Sequence, residues 1–294
     1  MTQEELIKRV RKIEIKTRSL SKNIFAGEYR SQYKGRGMSF AEVREYQPGD
    51  DVRSIDWNVT ARLNKPYIKI YEEERELTVM LLVDVSGSRN FGTLSQSKKD
   101  MMAEVAATLA FSTIENNDKV GVIFFSDKIE QFIPPKKGKT HVLRIISELL
   151  NFEPTSSGTD INGALEYMTN AMKRHCTVFL ISDCLDDRFT AIPKRREAIP
   201  LLIAAHRHAI SLIQIYDQRD AALPKVGLIK VKDAETQEDV WLDTAVDSVR
   251  QAYAQSWRNQ QQRLENLLTR TGTNHIAIRT NEDFVKKLMI LFKQ

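Results

Sequence analysis

Asp84, Ser86 and Ser88 stand at alternate positions directly after an almost wholly apolar run, ELTVMLLV at 76–83. A carboxylate and two hydroxyls grouped where the chain leaves a buried strand suit a hard cation. Mg²⁺ takes an octahedron of oxygens and usually keeps several waters. Hydroxyl ligands are neutral, so such a site leaves much of the metal's charge uncompensated, which favours a further carboxylate from outside. Two more oxygen-bearing side chains fall where an open α/β sheet would bring them close. Thr159 lies in Ser157-Gly158-Thr159-Asp160, a loop before a helix, and Asp183 follows the apolar strand Thr177–Ser182. The plain alternative is that Ser86, Ser88 and Thr159 cap helices. That accounts for one or two of them, but not for Asp84 and Asp183 together at strand ends. The sequence does not separate Mg²⁺ from Mn²⁺, since both accept such oxygens.

The elements that must position these residues are read from periodicity. Extended segments are expected at 67–71 and 76–83. The second is apolar at its end, as in a strand covered on both faces. A helix at about 95–115 carries Met101, Val105 and Leu109 on one face. Strand 120–125 follows, close enough to a short strand at 128–132 to form a hairpin. Helices at about 141–150 and 161–175 precede strand 177–182. Helix 199–206 then precedes strand 210–216. This is β-α-β with one antiparallel intrusion, the pattern of a doubly wound, mostly parallel sheet. In such sheets ligands gather beyond the carboxyl ends of the strands. The tail adds a hairpin of 228–231 and 240–242, a long helix at 247–269 with Gly272 as its stop signal, strand 275–279 and a helix at 282–292. At the other end, residues 3–20 read as a helix and 26–40 as a loop. The implied division is 1–75, 76–223 and 224–294, the last completing the same globule as the second.

DxSxS after a buried strand, then a Thr and an Asp after later elements, resembles the metal-ion-dependent adhesion site of von Willebrand factor A domains. All five positions of that motif are filled here. The resemblance implies a divalent ion at Asp84, Ser86, Ser88, Thr159 and Asp183, contacted by the hydroxyls, with the acids binding it or its waters. An acidic residue of a partner would take the open position. A second resemblance lies upstream, in Arg36-Gly37 with Phe40, Arg44-Glu45-Tyr46, Pro48-Gly49-Asp50, Arg53 and Ile55-Asp56-Trp57, and again in 233–236 followed by 241–244. These look like the signature of the bacterial domain of unknown function 58 family. Members are typically encoded beside MoxR-type AAA+ ATPases and are thought to act with them in assembling or maturing client proteins. Many relatives carry N-terminal membrane segments, so this chain looks like a short soluble branch. The resemblance implies a non-enzymatic binding module whose partner is the ATPase or its client. The charges from Arg44 to Asp56 form either a packing network or a docking surface, with packing favoured and Trp57 expected as a core anchor.

Other chemistries fit less well. A metal-dependent phosphate-ester hydrolase would use the same ion as Lewis acid, but a base or nucleophile is missing. An aspartyl-phosphate phosphatase needs a second Asp two residues after the first, where Ser86 stands. Lys137-Gly138-Lys139-Thr140 ends like a P-loop, yet the glycine required five positions earlier is Ile133, and Pro134-Pro135 would stiffen the cradle. No GxSxG elbow occurs. His206 and His208, two apart, do not share a helix face, and His141, His175 and His275 are scattered surface or boundary residues.

The 294 residues carry a net charge of +5, with 41% hydrophobic and 28% charged residues, an ordinary globular mixture. Residues 1–40 hold ten Lys/Arg against four Asp/Glu. That balance keeps nucleic-acid binding as a weaker alternative, although no nucleic-acid motif follows. Neither Cys176 nor Cys184 sits in a CxxC pair, so both are expected as reduced packing residues. No stretch reaches the ~18 apolar residues of a membrane helix, and the charged N-terminus lacks a signal peptide's apolar centre. A cytoplasmic location is the expectation.

Overall fold

The computed structural model describes residues 39–72, 77–93, 96–191, 199–232 and 239–292. The helix expected at 3–20, most of the basic stretch 1–40 and the turn at 233–237 lie outside them. The described chain forms two compact units, with residues 34–77 separate from the sheet-bearing unit that begins at Thr78.

The smaller unit is a two-stranded antiparallel ribbon, β1 (Ser39–Glu45) with β2 (Tyr67–Glu72). Between them run a 3-10 turn (Val52–Ser54) and α1 (Trp57–Leu63). Its dense charges act locally. Arg44 grips Asp50 with two hydrogen bonds of 2.8 and 2.7 Å, which hold the Asp50 carboxyl below its usual value. Asp56 caps α1 through the Asn58 and Val59 amides and pairs with Lys69 at 3.5 Å, while Lys65 pairs with Glu45 at 3.0 Å. Trp57 is not the expected core anchor. It opens α1 and is 67% exposed. Among the described residues of this small unit the buried apolar position is Ile68, while Trp57 faces solvent. Ser39–Glu45, expected as the end of a loop and the start of an irregular charged stretch, is a strand.

The larger unit is built on six strands: β3 (Thr78–Asp84), β4 (Lys119–Phe125), β5 (Ile129–Lys136), β6 (Thr177–Ser182), β7 (Ala209–Tyr216) and, later in the chain, β10 (Asn274–Arg279). Their spatial order is β10-β7-β6-β3-β4-β5, parallel except for the β4–β5 hairpin. Counted within the sheet this is the order 3-2-1-4-5-6 of a doubly wound fold, and it reverses between β3 and β6. Every residue of β6 and all but the first of β3 are buried. That is why these segments read as unbroken apolar runs rather than alternating ones.

The flanking helices are α2 (Lys98–Glu115), α3 (Lys139–Asn151), α4 (Ile161–Ala171), the single turn α5 (Asp187–Thr190), α6 (Pro200–Arg207) and the single turn α7 (Gln218–Ala221). α2 is buried around most of its circumference rather than on one face. Ala103, Ala106, Ala107 and Ala110 let the sheet and α3 approach closely. The hairpin β8 (Leu228–Lys232) and β9 (Asp239–Asp243) pairs only with itself and leaves Leu228, Val240 and Trp241 exposed. The long α8 (Asp247–Thr271) buries Leu264, Leu267 and Leu268 and stops at Gly272, whose φ of 64° is the left-handed cap expected there. The final helix is α9 (Phe284–Leu291).

β5 is an edge strand, which explains how it tolerates Pro134 and Pro135. Gly121 faces them across an irregularity in the ladder between Val120 and Val122. A Cβ at Gly121 would sit 2.9 Å from both the Ile133 carbonyl oxygen and the Pro135 nitrogen. Backbone cannot swing aside as a side chain can. Gly121→Ala should therefore cost about 1–3 kcal/mol, read as a lower urea midpoint at unchanged slope. An unmoved midpoint would show that β5 yields freely.

Both cysteines are buried free thiols. Cys176 Sγ lies 3.2 Å from His208 Nδ1, and His208 Nε2 is buried without a hydrogen-bond partner. So His208 is interior rather than at the surface. Burial, then the charges of His175 and Arg207, push its pKa down to about 4. The unfolded chain therefore binds this proton more readily than the folded one. Stability should fall as the pH drops from about 6.5 to about 4, by up to roughly 3 kcal/mol. Denaturation curves across that window should flatten in His208→Asn. An equally steep fall in the variant would assign the loss to other groups.

Candidate metal centre

β3 and β6 run side by side in parallel register, Val83 beside Ile181. Their carboxyl ends therefore bring Asp84 level with the Ser182–Asp183 pair at the point where the strand order reverses. Ser182 Oγ donates to Asp84 Oδ2 at 2.6 Å and accepts the Cys184 amide at 2.9 Å. To return that amide, Cys184 takes a φ of 59°. It is the one described non-glycine residue with positive φ that is not an asparagine. A non-glycine residue in that region is strained by about 1–2 kcal/mol, and the strain falls where β6 delivers its acid.

The DxSxS turn closes on itself. The Ser86 amide donates to Asp84 Oδ1 at 2.9 Å, and the Ser86 and Ser88 hydroxyl oxygens lie 3.1 Å apart. The third loop is tied to this turn through its backbone, because the Gly87 amide donates to the Ser157 carbonyl at 2.9 Å. Arg188 holds the Thr159 carbonyl at 2.6 Å, and the Asp160 amide reaches the Ser126 carbonyl. Glu130 supports the same loop from β5. It accepts from the Thr155 hydroxyl, the Thr155 and Ser156 amides and Ser126 Oγ. Burial raises its carboxyl, yet these donors outweigh burial and keep it below the ordinary glutamate value.

All five residues singled out from the sequence thus lie on three adjoining loops at the switch point. Asp84, Ser86, Thr159 and Asp183 are buried, and Ser88 is 8% exposed. Burial, and then the like charge of Asp183, push the Asp84 carboxyl up to about 6, against the pull of Ser182 and Ser86. Sequence reasoning missed three participants. Ser182 orients Asp84. Arg89, buried in the turn after Ser88, feels the Asp84 charge and donates to the Phe152 carbonyl at 2.6 Å. Lys98 places its ammonium 2.8 Å from Asp183 Oδ2 and 3.2 Å from Asp220 Oδ2. A signal for Lys98 was present in the sequence. It stands three, four, seven and eleven residues before Met101, Met102, Val105 and Leu109, at helical spacing from apolar residues that are all buried.

The donor set passes a chemical test for a hard cation. It contains only oxygens, the two hydroxyls lie at about the 3 Å separation of neighbouring oxygens in a Mg²⁺ octahedron, and two like-charged buried acids stand beside them. Among the described residues no three or more His, Cys, Asp or Glu side chains are grouped as a metal cluster, so any ion here would depend on the hydroxyls as well as on the two acids.

An uncharacterized protein of Mycobacterium tuberculosis (strain ATCC 25618 / H37Rv) is 27% identical over 283 residues, covering 95% of this chain and 86% of that one. Solved structures similar to the chain include an aerotolerance-related membrane protein from Bacteroides fragilis NCTC 9343, at 14% identity and a TM-score of 0.47, covering 74% of this chain and 98% of that one. Another is proximal thread matrix protein 1 from the mussel byssus with a zinc-occupied MIDAS motif, at 15% identity and a TM-score of 0.38, covering 74% and 46%. Residues 42–263, three-quarters of the sequence, match the family described as "Protein of unknown function DUF58", and the chain belongs to that family.

Proposed function

We propose that this protein is a non-enzymatic binding module that recognises an acidic residue of a partner protein through a divalent cation, Mg²⁺ or Mn²⁺. The observation that carries this reading is the convergence of Asp84, Asp183 and the Ser86–Ser88 hydroxyl pair at the topological switch point. A divalent ion there supplies a Lewis-acidic position open to an incoming carboxylate. The chain's own residues do the rest. Ser182 and the Ser86 amide fix the Asp84 carboxylate, the Gly87–Ser157 hydrogen bond holds the Thr159 loop, and burial excludes competing water. We take the partner to be a MoxR-type AAA+ ATPase, or a client protein matured with it, as the family resemblance implies. No helix among the described residues is long and apolar enough to cross a membrane, which fits work in the cytoplasm.

We rank phosphate-ester hydrolysis second: Arg89 and Lys98 flank the site, and the nearby acids Asp220 and Glu130 are engaged by Lys98 and by the Thr155–Ser156 loop. Calorimetric titration with MgCl₂ or MnCl₂, together with a pull-down in the presence and absence of chelator, tests the proposal. Metal heat and chelator-sensitive capture of a partner are expected. Turnover of phosphomonoesters would transfer the site to the hydrolase reading.

A further inference from the structure

We infer that Lys98 is a built-in counter-cation that holds down the bare site's affinity for a divalent ion. The inference rests on the metal reading above and concerns how that site is tuned. Lys98 is among the largest fully buried side chains of the protein. Its ammonium is committed to Asp183 at 2.8 Å and to Asp220, on α7, at 3.2 Å, and it lies 5.7 Å from the centre of the Phe91 ring. It has no easy retreat to water. The residue opens α2, whose start is fixed by the Ser97 cap and by the Lys98 amide donating to the Phe91 carbonyl at 3.0 Å. The next turns of α2 are buried.

Asp183 has correspondingly little left to offer. Its Oδ2 accepts from Lys98 and its Oδ1 from the Leu185 amide. On the other side, buried Arg89 lies within the field of Asp84. The Asp183 carboxylate that would attract a cation already holds a buried ammonium, and Arg89 is buried one residue after Ser88, so a dication entering alone meets fixed positive charge in a medium that screens poorly. An acid group brought by a partner reverses that balance, because it adds the negative charge the loops lack. Lys98 thereby makes retention of the metal depend on the presence of the ligand.

The test is titration of MgCl₂ and MnCl₂, without any partner, into the full chain and the variants Lys98→Met, Lys98→Arg and Lys98→Met with Asp220→Asn. Calorimetry and the metal-induced rise in Tm are both read. Both Lys98→Met proteins should bind at least roughly tenfold tighter than the parent, and Lys98→Arg should bind like the parent. The double variant removes the second acid that would be left unpaired, so it carries the comparison if Lys98→Met alone does not fold. Equal or weaker affinity in the charge-free variants overturns the counter-cation role and leaves the metal site standing. Absence of heat and of any Tm shift in every protein overturns the metal reading together with this one.

Discussion

Asp84→Asn should abolish metal-dependent association while leaving the fold intact or firmer. Asp84 anchors the DxSxS turn, is 1% exposed and stands beside Asp183. Loss of a residue that merely orients a metal ligand typically lowers affinity 10–100-fold, so removing a charged member of the site should lower it by at least roughly a hundredfold. Stability moves the other way. Burial and the neighbouring Asp183 raise the folded Asp84 carboxyl to about 6, well above the ordinary aspartate value. The folded chain therefore binds this proton more tightly than the unfolded one, and stability is lost as pH rises through that interval. At neutral pH and without metal the charge costs up to about 3 kcal/mol, which the neutral amide removes. A variant that loses metal heat and chelator-sensitive capture yet melts no lower than the parent cannot be dismissed as misfolded. Retained metal heat in Asp84→Asn would refute the assignment of this residue.

Lys98→Ala should be among the most damaging single changes outside the apolar core. Breaking a buried ion pair by removing one partner costs about 3–5 kcal/mol, because the remaining charge has no compensation. Here two carboxylates, Asp183 and Asp220, would lose the ammonium together. Burial works against that ammonium, yet the two acids outweigh burial and hold its pKa above the ordinary lysine value, so it is charged in the folded protein at any pH near neutral. Urea denaturation at pH 7 should show a deficit of that size. Adding Asp183→Asn to Lys98→Ala should recover part of it. A deficit below about 1 kcal/mol would mean that water reaches the pair and that Lys98 is a surface residue in all but geometry.

The difference between what the sequence disclosed and what it withheld has a physical pattern. β3 and β6 were legible because parallel strands covered on both faces need apolar residues throughout, and their ends located Asp84 and Asp183. The antiparallel β4–β5 hairpin was legible from the short gap between two extended runs. Gly272 was readable because few other residues accept a left-handed cap. Lys98 was not assigned because its partners are 85 and 122 positions away in the chain, and local periodicity carries no information on which acid a buried lysine meets. The Cys184 conformation left no local signal, since it follows from the demand of Ser182 Oγ for a donor. Trp57 misled because aromatic size alone does not say which residue of a small unit is buried: here it is Ile68, and Trp57 is 67% exposed. β1 was missed because Arg44 and Glu45 break the apolar run by which the strands of the large sheet were recognised.

The paired prolines of β5 have an effect beyond the shape of the hairpin. Successive amides of an extended strand point to opposite sides. Neither Pro134 nor Pro135 carries an amide hydrogen, so this stretch of β5 lacks two successive donors. A foreign segment seeking to continue the ladder beyond β5 meets a missing donor in mid-strand. The outer edge of β5 is thus a poorer template for a further strand at its proline pair, an arrangement that works against strand-by-strand association of copies of this protein.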